Sequence, residues 1–179
     1  MKLKIKVKTM YNGHPLPTII DKGDWVDLRA SELVTLQAPQ AGTLKTHKSG
    51  GERISHRDVT YDFSLIPLGV AMELPKGFEA VVLPRSSTYK KYGIIQTNSM
   101  GVIDGSYCGD NDEWKLPVVA LRDTVIKSGD RICQFRIQLS QRATLWQKIK
   151  WFLSSGIKII EVDKLGNPDR QGIGSTGIK

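Results

Sequence analysis

The chain has 179 residues, of which 40% are hydrophobic and 25% are charged, and its net charge is +8. This length and composition are typical of one globular domain with room for a core. No apolar run approaches the roughly 18–20 residues that cross a bilayer. The first eight residues alternate polar with apolar side chains and do not form the core of a signal peptide. We therefore expect a cytoplasmic protein with no membrane partner.

The cysteines and histidines indicate little chemistry of their own. Cys108 and Cys133 have no metal-ligand spacing and make no disulfide framework, so two reduced thiols are expected. The three histidines form no H-x-E or C-x-x-C pattern, which argues against a zinc site. The positive charge predicts an anionic ligand, either a nucleic acid or a nucleotide.

Short strand-like stretches, separated by turn residues, fill most of the chain. Residues 2–8 alternate strictly, so one face of that strand can be buried. Gly, Pro, Asp or Asn stands in nearly every gap between the later stretches. Those stretches span residues 63–73, 79–83, 116–121, 131–139 and 157–162. The pattern predicts an all-β fold, a barrel or jelly roll, in a single domain over residues 1–165.

Three segments depart from the strand pattern. Residues 40–58 are polar and predict a long surface loop or insertion. Residues 144–153 predict the one convincing short helix. Residues 166–179 are rich in glycine and predict a mobile tail that closes as a lid. The helix has an apolar face, which we expect to pack on the barrel: Leu145, Trp146, Ile149, Phe152 and Leu153.

An arginine and two serines follow the strand predicted over residues 79–83. Arg85 offers a planar fork for phosphate oxygens, and Ser86 and Ser87 add small neutral donors. In isolation this run is more typical of a plain surface turn.

Residues 98–109 combine a carboxylate, an aromatic ring and an amide. Asp104 and Gly105 predict a tight hairpin with the carboxylate at its tip. There the carboxylate can act as a general base toward water that attacks phosphorus. Tyr107 can pack on a sugar or base, and Asn98 matches the edge of a pyrimidine. The alternative is an ordinary turn with a core tyrosine.

Three further stretches carry weaker signals. Gln134 is an amide within an apolar strand, where it either reaches a phosphate or faces solvent. Asp27 lies in an apolar setting, and a buried carboxylate needs a partner, either a hydrated divalent cation or an arginine. The glycines of residues 172–177 let backbone N–H groups approach a phosphate, and Arg170 adds positive charge. The alternative for the tail is a disordered terminus.

Together, and in this order, the five stretches resemble the motifs of the trimeric dUTP diphosphatases (dUTPases). The best matches lie at residues 84–87, 101–109, 129–134 and 174–177. The resemblance implies a jelly-roll-like β-barrel of the β-clip type, in a homotrimer whose subunits share active sites. It also implies hydrolysis of dUTP to dUMP and diphosphate with Mg²⁺, and no nucleic-acid partner.

The resemblance further implies a role for each matched residue. Asp104 would activate the water that attacks the α-phosphorus, Tyr107 would lie under the deoxyribose, and Asp27 would help place Mg²⁺ through water. Uracil would be read by one side chain and the backbone near it: Asn98, Gly101, Val102 and Ile103. The phosphates would be held by four side chains: Arg85, Ser86, Ser87 and Gln134. The tail would close from another subunit through a further set: Arg170, Ile173, Gly174 and Ser175.

The chain departs from the family pattern at several places. Asp24 and Trp25 stand where the family has Ala-Gly, and Ile173 stands where it has an aromatic residue. Residues 110–112 are extra, and alignment through them brings Lys115 near the nucleoside pocket. The segments 40–58 and 144–153 exceed a minimal member, offer surfaces for a protein partner, and are similar to additions in phage enzymes. A phage enzyme would work in the cytoplasm of a bacterial host.

Two other functions remain open. A dCTP deaminase of the same superfamily shares the Arg-Ser-Ser and Ile-Asp features, but needs a carboxylate in the strand after the hairpin. Residues 116–121 contain none, and Glu113 comes before them. A non-catalytic binding module is the second alternative, suggested by the basic amphipathic segment around Trp146 and Trp151.

Overall fold

The structure is a computed structural model that describes residues 1–19 and 23–170. Within these ranges the chain forms fifteen strands and two short helices, which confirms the all-β prediction. The strands are β1 (Leu3–Thr9), β2 (Thr18–Ile19), β3 (Val26–Arg29), β4 (Val34–Leu36), β5 (Gln40–Ser49), β6 (Glu52–Thr60), β7 (Phe63–Pro67), β8 (Val70–Glu73), β9 (Phe78–Pro84), β10 (Ile94–Gln96), β11 (Gly101–Ile103), β12 (Lys115–Ala120), β13 (Thr124–Ile126), β14 (Arg131–Leu139) and β15 (Ile157–Glu161). The helices are α1 (Thr88–Tyr92) and α2 (Leu145–Phe152).

Four small sheets surround one apolar core. The largest has the order β11-β9-β14-β3-β2, and two three-stranded sheets have the orders β15-β1-β8 and β10-β12-β7. A two-stranded sheet, β13-β4, completes the set. The alternation in β1 buries Leu3, Ile5 and Val7 and exposes the lysines between them. Trp114 and Phe135 meet edge to face at the centre, with ring centroids 5.2 Å apart.

Strands β5 and β6 form a long hairpin where the sequence predicts a surface loop. The hairpin pairs with no other strand of the described residues, and every residue within its two strands is exposed. The prediction of a loop over residues 40–58 is therefore wrong, because the polar alternation hides a strand pairing that faces solvent on both sides. The segment does stand outside the core, as an insertion would.

Helix α2 forms where it is predicted, but its apolar face points away from the barrel. Thr144 and Gln147 form a capping box at its start. The side chain of Gln147 lies over Gly77, and the ring of Trp151 lies 5.3 Å from that of Phe78. The prediction that the apolar face packs on the barrel is therefore wrong, because the helix contacts the barrel through Gln147 and Trp151 instead. The outward residues remain exposed: Leu145, Trp146, Ile149, Phe152 and Leu153.

Helix α1 is absent from the sequence prediction. It has only five residues and ends at Gly93, whose φ of 65° allows the left-handed turn into β10. A single helical turn shows too little periodicity to stand out among polar residues. Neither helix in the described residues has the length and apolar run that a bilayer crossing requires.

Candidate active site

Asp104 follows β11 and begins a turn, not a tight hairpin. β11 pairs with β9, whereas the next strand, β12, pairs with β10 and β7. A two-residue turn of the predicted type needs positive φ at its glycine, and Gly105 does not have it. The prediction of two paired strands at Asp104 is therefore wrong. The turn closes instead through Tyr107 N–H, which donates to Asp104 O at 3.1 Å.

Both carboxylate oxygens of Asp104 have partners. Oδ1 accepts hydrogen bonds from the amide of Ser106, at 2.9 Å, and from the Ser106 hydroxyl. Oδ2 forms an ion pair with the Arg170 guanidinium. Burial opposes ionisation, but the Ser106 hydrogen bonds and Arg170 outweigh it and hold the pKa of Asp104 below its ordinary value. Asp104 is therefore an exposed carboxylate, charged at neutral pH and fixed in orientation, which suits a base toward water.

Asn98 and the strand that follows it lie beside β9. Gln96 is buried and donates from Nε2 to Val82 O at 3.2 Å and to Asn98 Oδ1 at 2.7 Å. These bonds fix the carboxamide of exposed Asn98 with its Nδ2 available as a donor. Gly101 is buried and pairs with Val82. Sequence reasoning missed Gln96, although a lone amide after two isoleucines was a usable signal.

Tyr107 and Glu113 are connected through the backbone. The Tyr107 hydroxyl donates to Glu113 O at 3.0 Å, and its ring packs against the core. Burial, together with nearby Asp112, raises the pKa of Tyr107, so the phenol stays protonated. The Glu113 carboxylate accepts from Gly69 N–H at 3.0 Å, and burial raises its pKa. The Glu113 carboxylate is therefore already hydrogen-bonded by Gly69 N–H.

Asp27 is held between two arginines. It is 2% exposed, and its Oδ1 lies 2.8 Å from Arg85 Nε while its Oδ2 lies 2.9 Å from Arg131 Nη1. Of the two partners that the sequence left open for Asp27, the structure shows arginine. One carboxylate and two guanidinium groups leave a net positive charge here, which favours an anion. Arg131 lies within the family match at residues 129–134, and its pairing with a residue 104 positions away has no local signature in the sequence.

The turn after β9 is fixed by Thr88. Its buried hydroxyl donates to Ile132 O at 2.7 Å and accepts from Arg85 N–H at 3.1 Å. Ser86 and Ser87 remain exposed at the outside of this turn. Gln134 is half-buried on β14, in register with Asp27 on one side and Leu83 on the other. The predicted phosphate ligands therefore converge on one positively charged corner.

The predicted site residues fall into two groups at opposite ends of β9. Ile103, next to Asp104, pairs with Ala80 near the start of β9, whereas Arg85 follows its last residue. At about 3.3 Å per residue, five residues separate the two groups by about 17 Å. One chain therefore does not bring the carboxylate of Asp104 to the arginine corner.

The remaining predicted residues are placed as follows. Lys115 is exposed at the start of β12, and its role at a nucleoside pocket stays a prediction. Arg170 lies against Asp104 of the same chain. Three predicted tail residues lie outside the described residues: Ile173, Gly174 and Ser175.

The side chains around Asp27 do not form a magnesium site by themselves. In the described residues no three His, Cys, Asp or Glu side chains are grouped to hold a metal ion. Asp27 has both oxygens engaged by guanidinium groups. Mg²⁺ requires near-octahedral oxygen ligands, which this corner lacks. The role of Asp27 toward Mg²⁺ stays a prediction.

Comparison with known proteins identifies the family. A family model described as dUTPase matches residues 58–147. An SPbeta prophage-derived deoxyuridine 5′-triphosphate nucleotidohydrolase of Bacillus subtilis is 48% identical over 177 residues, covering 99% of this chain and 100% of the relative. The chain belongs to the dUTPase family. A dUTP nucleotidohydrolase of Finegoldia magna is 36% identical over 118 residues, covering 64% of this chain and 71% of that protein.

Solved dUTPase structures share the fold. The Streptococcus mutans dUTPase superposes with a TM-score of 0.59 at 19% identity, covering 78% of this chain and 98% of that one. The dUTPase of Staphylococcus bacteriophage 80alpha gives 0.56 at 16% identity, covering 79% and 93%. These likenesses confirm the jelly-roll-like barrel. A phage phi11 dUTPase variant, with a TM-score of 0.56 at 15% identity over 79% of this chain and 94% of that one, is described with a structural Mg(II) ion.

Proposed function

We propose that this dUTPase-family chain hydrolyses dUTP to dUMP and diphosphate, with Asp104 as the base that activates water. The main support for this function is the geometry of the turn at Asp104. An exposed carboxylate is held there in one orientation by Ser106 and kept ionised at neutral pH. Attack by water on the α-phosphorus needs positioning and charge neutralisation more than covalent help.

Arg170 has two roles in this proposal. In the structure its guanidinium occupies Oδ2 of Asp104, the oxygen that Ser106 leaves available. A triphosphate carries more negative charge than one carboxylate and competes for the guanidinium. Transfer of Arg170 to the phosphates then frees Oδ2 to accept a proton from water.

The arginine corner supplies the phosphate ligands. Asp27 engages Arg85 through Nε, so the terminal nitrogens of Arg85 remain available for phosphate oxygens. Ser86 and Ser87 add hydroxyl donors on the exposed side of the same turn. Gln134 adds an amide beside them. Asp27 thereby orients the arginine and limits its motion.

The nucleoside would lie beside β11 and the Asp104 turn. Gln96 holds Oδ1 of Asn98 and leaves its Nδ2 available to donate to a carbonyl oxygen of uracil. The backbone of Gly101, Val102 and Ile103 would complete this contact. Tyr107 would present its ring to the deoxyribose, in line with its half-buried position.

Separation of the two groups along β9 supports active sites shared between subunits. The α-, β- and γ-phosphorus atoms of one triphosphate are close neighbours, whereas Ile103, next to Asp104, and Arg85 of one chain are about 17 Å apart along the strand. A complete site therefore combines Asp104 of one subunit with the arginine corner of another. A closed homotrimer provides three such heterologous contacts.

Mg²⁺ would bind together with the substrate. Because the described residues provide no carboxylate cluster, the triphosphate oxygens and water would supply most of its ligands.

The decisive experiment compares Asp104→Asn with Asp163→Asn, a control at an exposed aspartate. Diphosphate release is measured from dUTP, dCTP, dTTP and UTP, with and without Mg²⁺. Asp104→Asn should lower kcat for dUTP about 10²–10⁴-fold with KM little changed. Asp163→Asn should behave as the wild type. Near-normal turnover by Asp104→Asn would refute the mechanism, and a uracil product from dCTP would favour a deaminase.

A further inference from the structure

The two faces of the β5–β6 hairpin differ in charge. Residues that oppose each other in an antiparallel pair point to the same side. Thr46 opposes Ser55 on one side, and their hydroxyl oxygens lie 3.0 Å apart. Lys48 and Arg53 form the next pair toward the tip on this side, and Arg57 lies on it two positions before the hydroxyl pair. This side is the basic face: Leu44, Thr46, Lys48, Arg53, Ser55 and Arg57.

The opposite face of the hairpin balances its charges. Lys45 forms an ion pair with Asp58, and His56 Nε2 lies 4.0 Å from the same carboxylate. Glu52 points to this side as well, since it is the neighbour of a residue on the basic face. Both acidic residues of the hairpin therefore lie away from the basic face.

The basic face has three cations without an internal counterion. Among the described residues, Lys48, Arg53 and Arg57 take part in no ion pair. Lys48 directly opposes Arg53, and like charges in this position destabilise a strand pair. All three side chains are exposed. This excess of positive charge favours an anionic ligand from outside the chain.

The shape and composition of the basic face select one class of polyanion. A two-stranded ribbon fits the major groove of B-form DNA, whereas the major groove of duplex RNA is too deep and narrow. Single strands bind by stacking on aromatic rings, and the basic face has none. A membrane surface needs an apolar face, and Leu44 is the only large apolar side chain on this one. Duplex DNA is therefore the ligand that fits best.

The spacing of the cations matches this ligand. Arg53 and Arg57 are four residues apart on β6, which is about 13 Å at about 3.3 Å per residue. Four steps of about 3.4 Å along one DNA strand cover the same distance. Gly50 and Gly51 form the tip with positive φ and no side chain, so the backbone there can approach a groove closely.

We propose that the basic face of the β5–β6 hairpin binds duplex DNA through its phosphates, with little dependence on base sequence. Each of the three cations neutralises one phosphate, and Thr46 and Ser55 donate hydrogen bonds to phosphate oxygens beside them. The resemblance to the family implies no nucleic-acid partner, but residues 44–57 lie outside the range 58–147 that the family model matches. The proposal is independent of the function assigned to Asp104.

Fluorescence anisotropy of a short labelled DNA duplex tests the proposal between about 50 and 200 mM salt. The hairpin variant carries Lys48→Gln, Arg53→Gln and Arg57→Gln together. Each phosphate contact contributes about 0.9 to the slope of log Kd against log salt concentration. The hairpin variant should therefore lower this slope by about 2.7 for each hairpin that contacts the DNA. Arg53→Gln alone should lower it by about 0.9.

A second triple variant is the matched control. Lys2→Gln, Lys4→Gln and Lys158→Gln remove the same charge at exposed lysines elsewhere on the surface. This control should keep the wild-type slope, and thermal denaturation checks that both variants are folded. An equal loss of slope in the two triple variants would show that binding follows net charge alone, and would overturn the proposal.

Competition experiments test the class of ligand. Unlabelled single-stranded DNA, duplex RNA and polyglutamate should displace the labelled duplex less effectively than unlabelled duplex DNA. Equal or better displacement by any of these three would overturn the assignment to duplex DNA. Absence of binding by the wild type at about 50 mM salt, where electrostatic contacts are strongest, would refute the proposal outright.

Discussion

Gly109 lies directly beneath Asp169, so that a Cβ added to Gly109 would come within 2.8 Å of Asp169 N and closer still to its Cα. The obstacle is backbone, which cannot rotate aside. Gly109→Ala should therefore release residues 165–170 and accelerate their amide exchange. Gly105→Ala is the matched control, since a Cβ there meets only Phe78 O, at 3.4 Å. Equal exchange in the two variants would contradict the close packing.

Removal of the Arg170 charge should raise the pKa of Asp104. Burial favours the protonated acid, and the Ser106 hydrogen bonds and Arg170 together hold the pKa below its ordinary value. A depressed pKa keeps the carboxylate ionised until the pH falls below its usual range. In Arg170→Gln the acid limb of the kcat/KM profile should move to higher pH. Arg142→Gln, at an exposed arginine, is the control and should leave the acid limb in place. Identical pH profiles for the two variants would contradict the role of Arg170 in lowering the pKa of Asp104.

Asp27 should matter for stability as well as for phosphate binding. Asp27→Asn leaves the partly exposed Arg85 and Arg131 without their shared carboxylate, at a cost of about 1–3 kcal/mol of unfolding free energy. Lys6→Met removes an exposed ion pair with Glu73 and should cost less than about 1 kcal/mol. Urea denaturation measures both. A smaller loss for Asp27→Asn than for Lys6→Met would show that the arginines find other partners.

Two tryptophans of α2 should respond differently to truncation. Trp151 packs on Phe78, whereas Trp146 is 79% exposed. Trp151→Ala should cost about 1–3 kcal/mol, below the value for a fully buried tryptophan. Trp146→Ala should change the free energy of unfolding by less than about 0.5 kcal/mol. Thermal denaturation of the two variants tests the orientation of the helix. A larger loss of stability for Trp146→Ala would show that Trp146, and not Trp151, packs against the barrel.

Sequence patterns were sufficient to predict the features that depend only on residues near one another in the chain. The alternation of β1 follows directly from Leu3, Ile5 and Val7, and the helix α2 follows from the apolar stripe within residues 144–153. The positions of the family motifs were readable because each is a short contiguous run. Strand periodicity and turn chemistry need only neighbours in the chain.

Long-range pairings were not predictable in the same way. Asp27 meets Arg131 across 104 positions, and Asp112 meets Arg170 across 58. Such contacts depend on which strands become neighbours, and many arrangements share the same local pattern. The outward face of α2 escaped prediction for a related reason, because periodicity gives the apolar stripe of a helix but not the direction in which it faces.

The β5–β6 hairpin has a consequence for the way this molecule can open and change. Its strands bury no side chain, and its cross-strand bonds join it to itself alone among the described strands. Loss of those bonds therefore exposes little additional apolar surface, and the hairpin can unfold as a separate local unit while the barrel stays folded. Insertions, deletions or a grafted peptide at its tip, Gly50 and Gly51, should leave the global free energy of unfolding nearly unchanged.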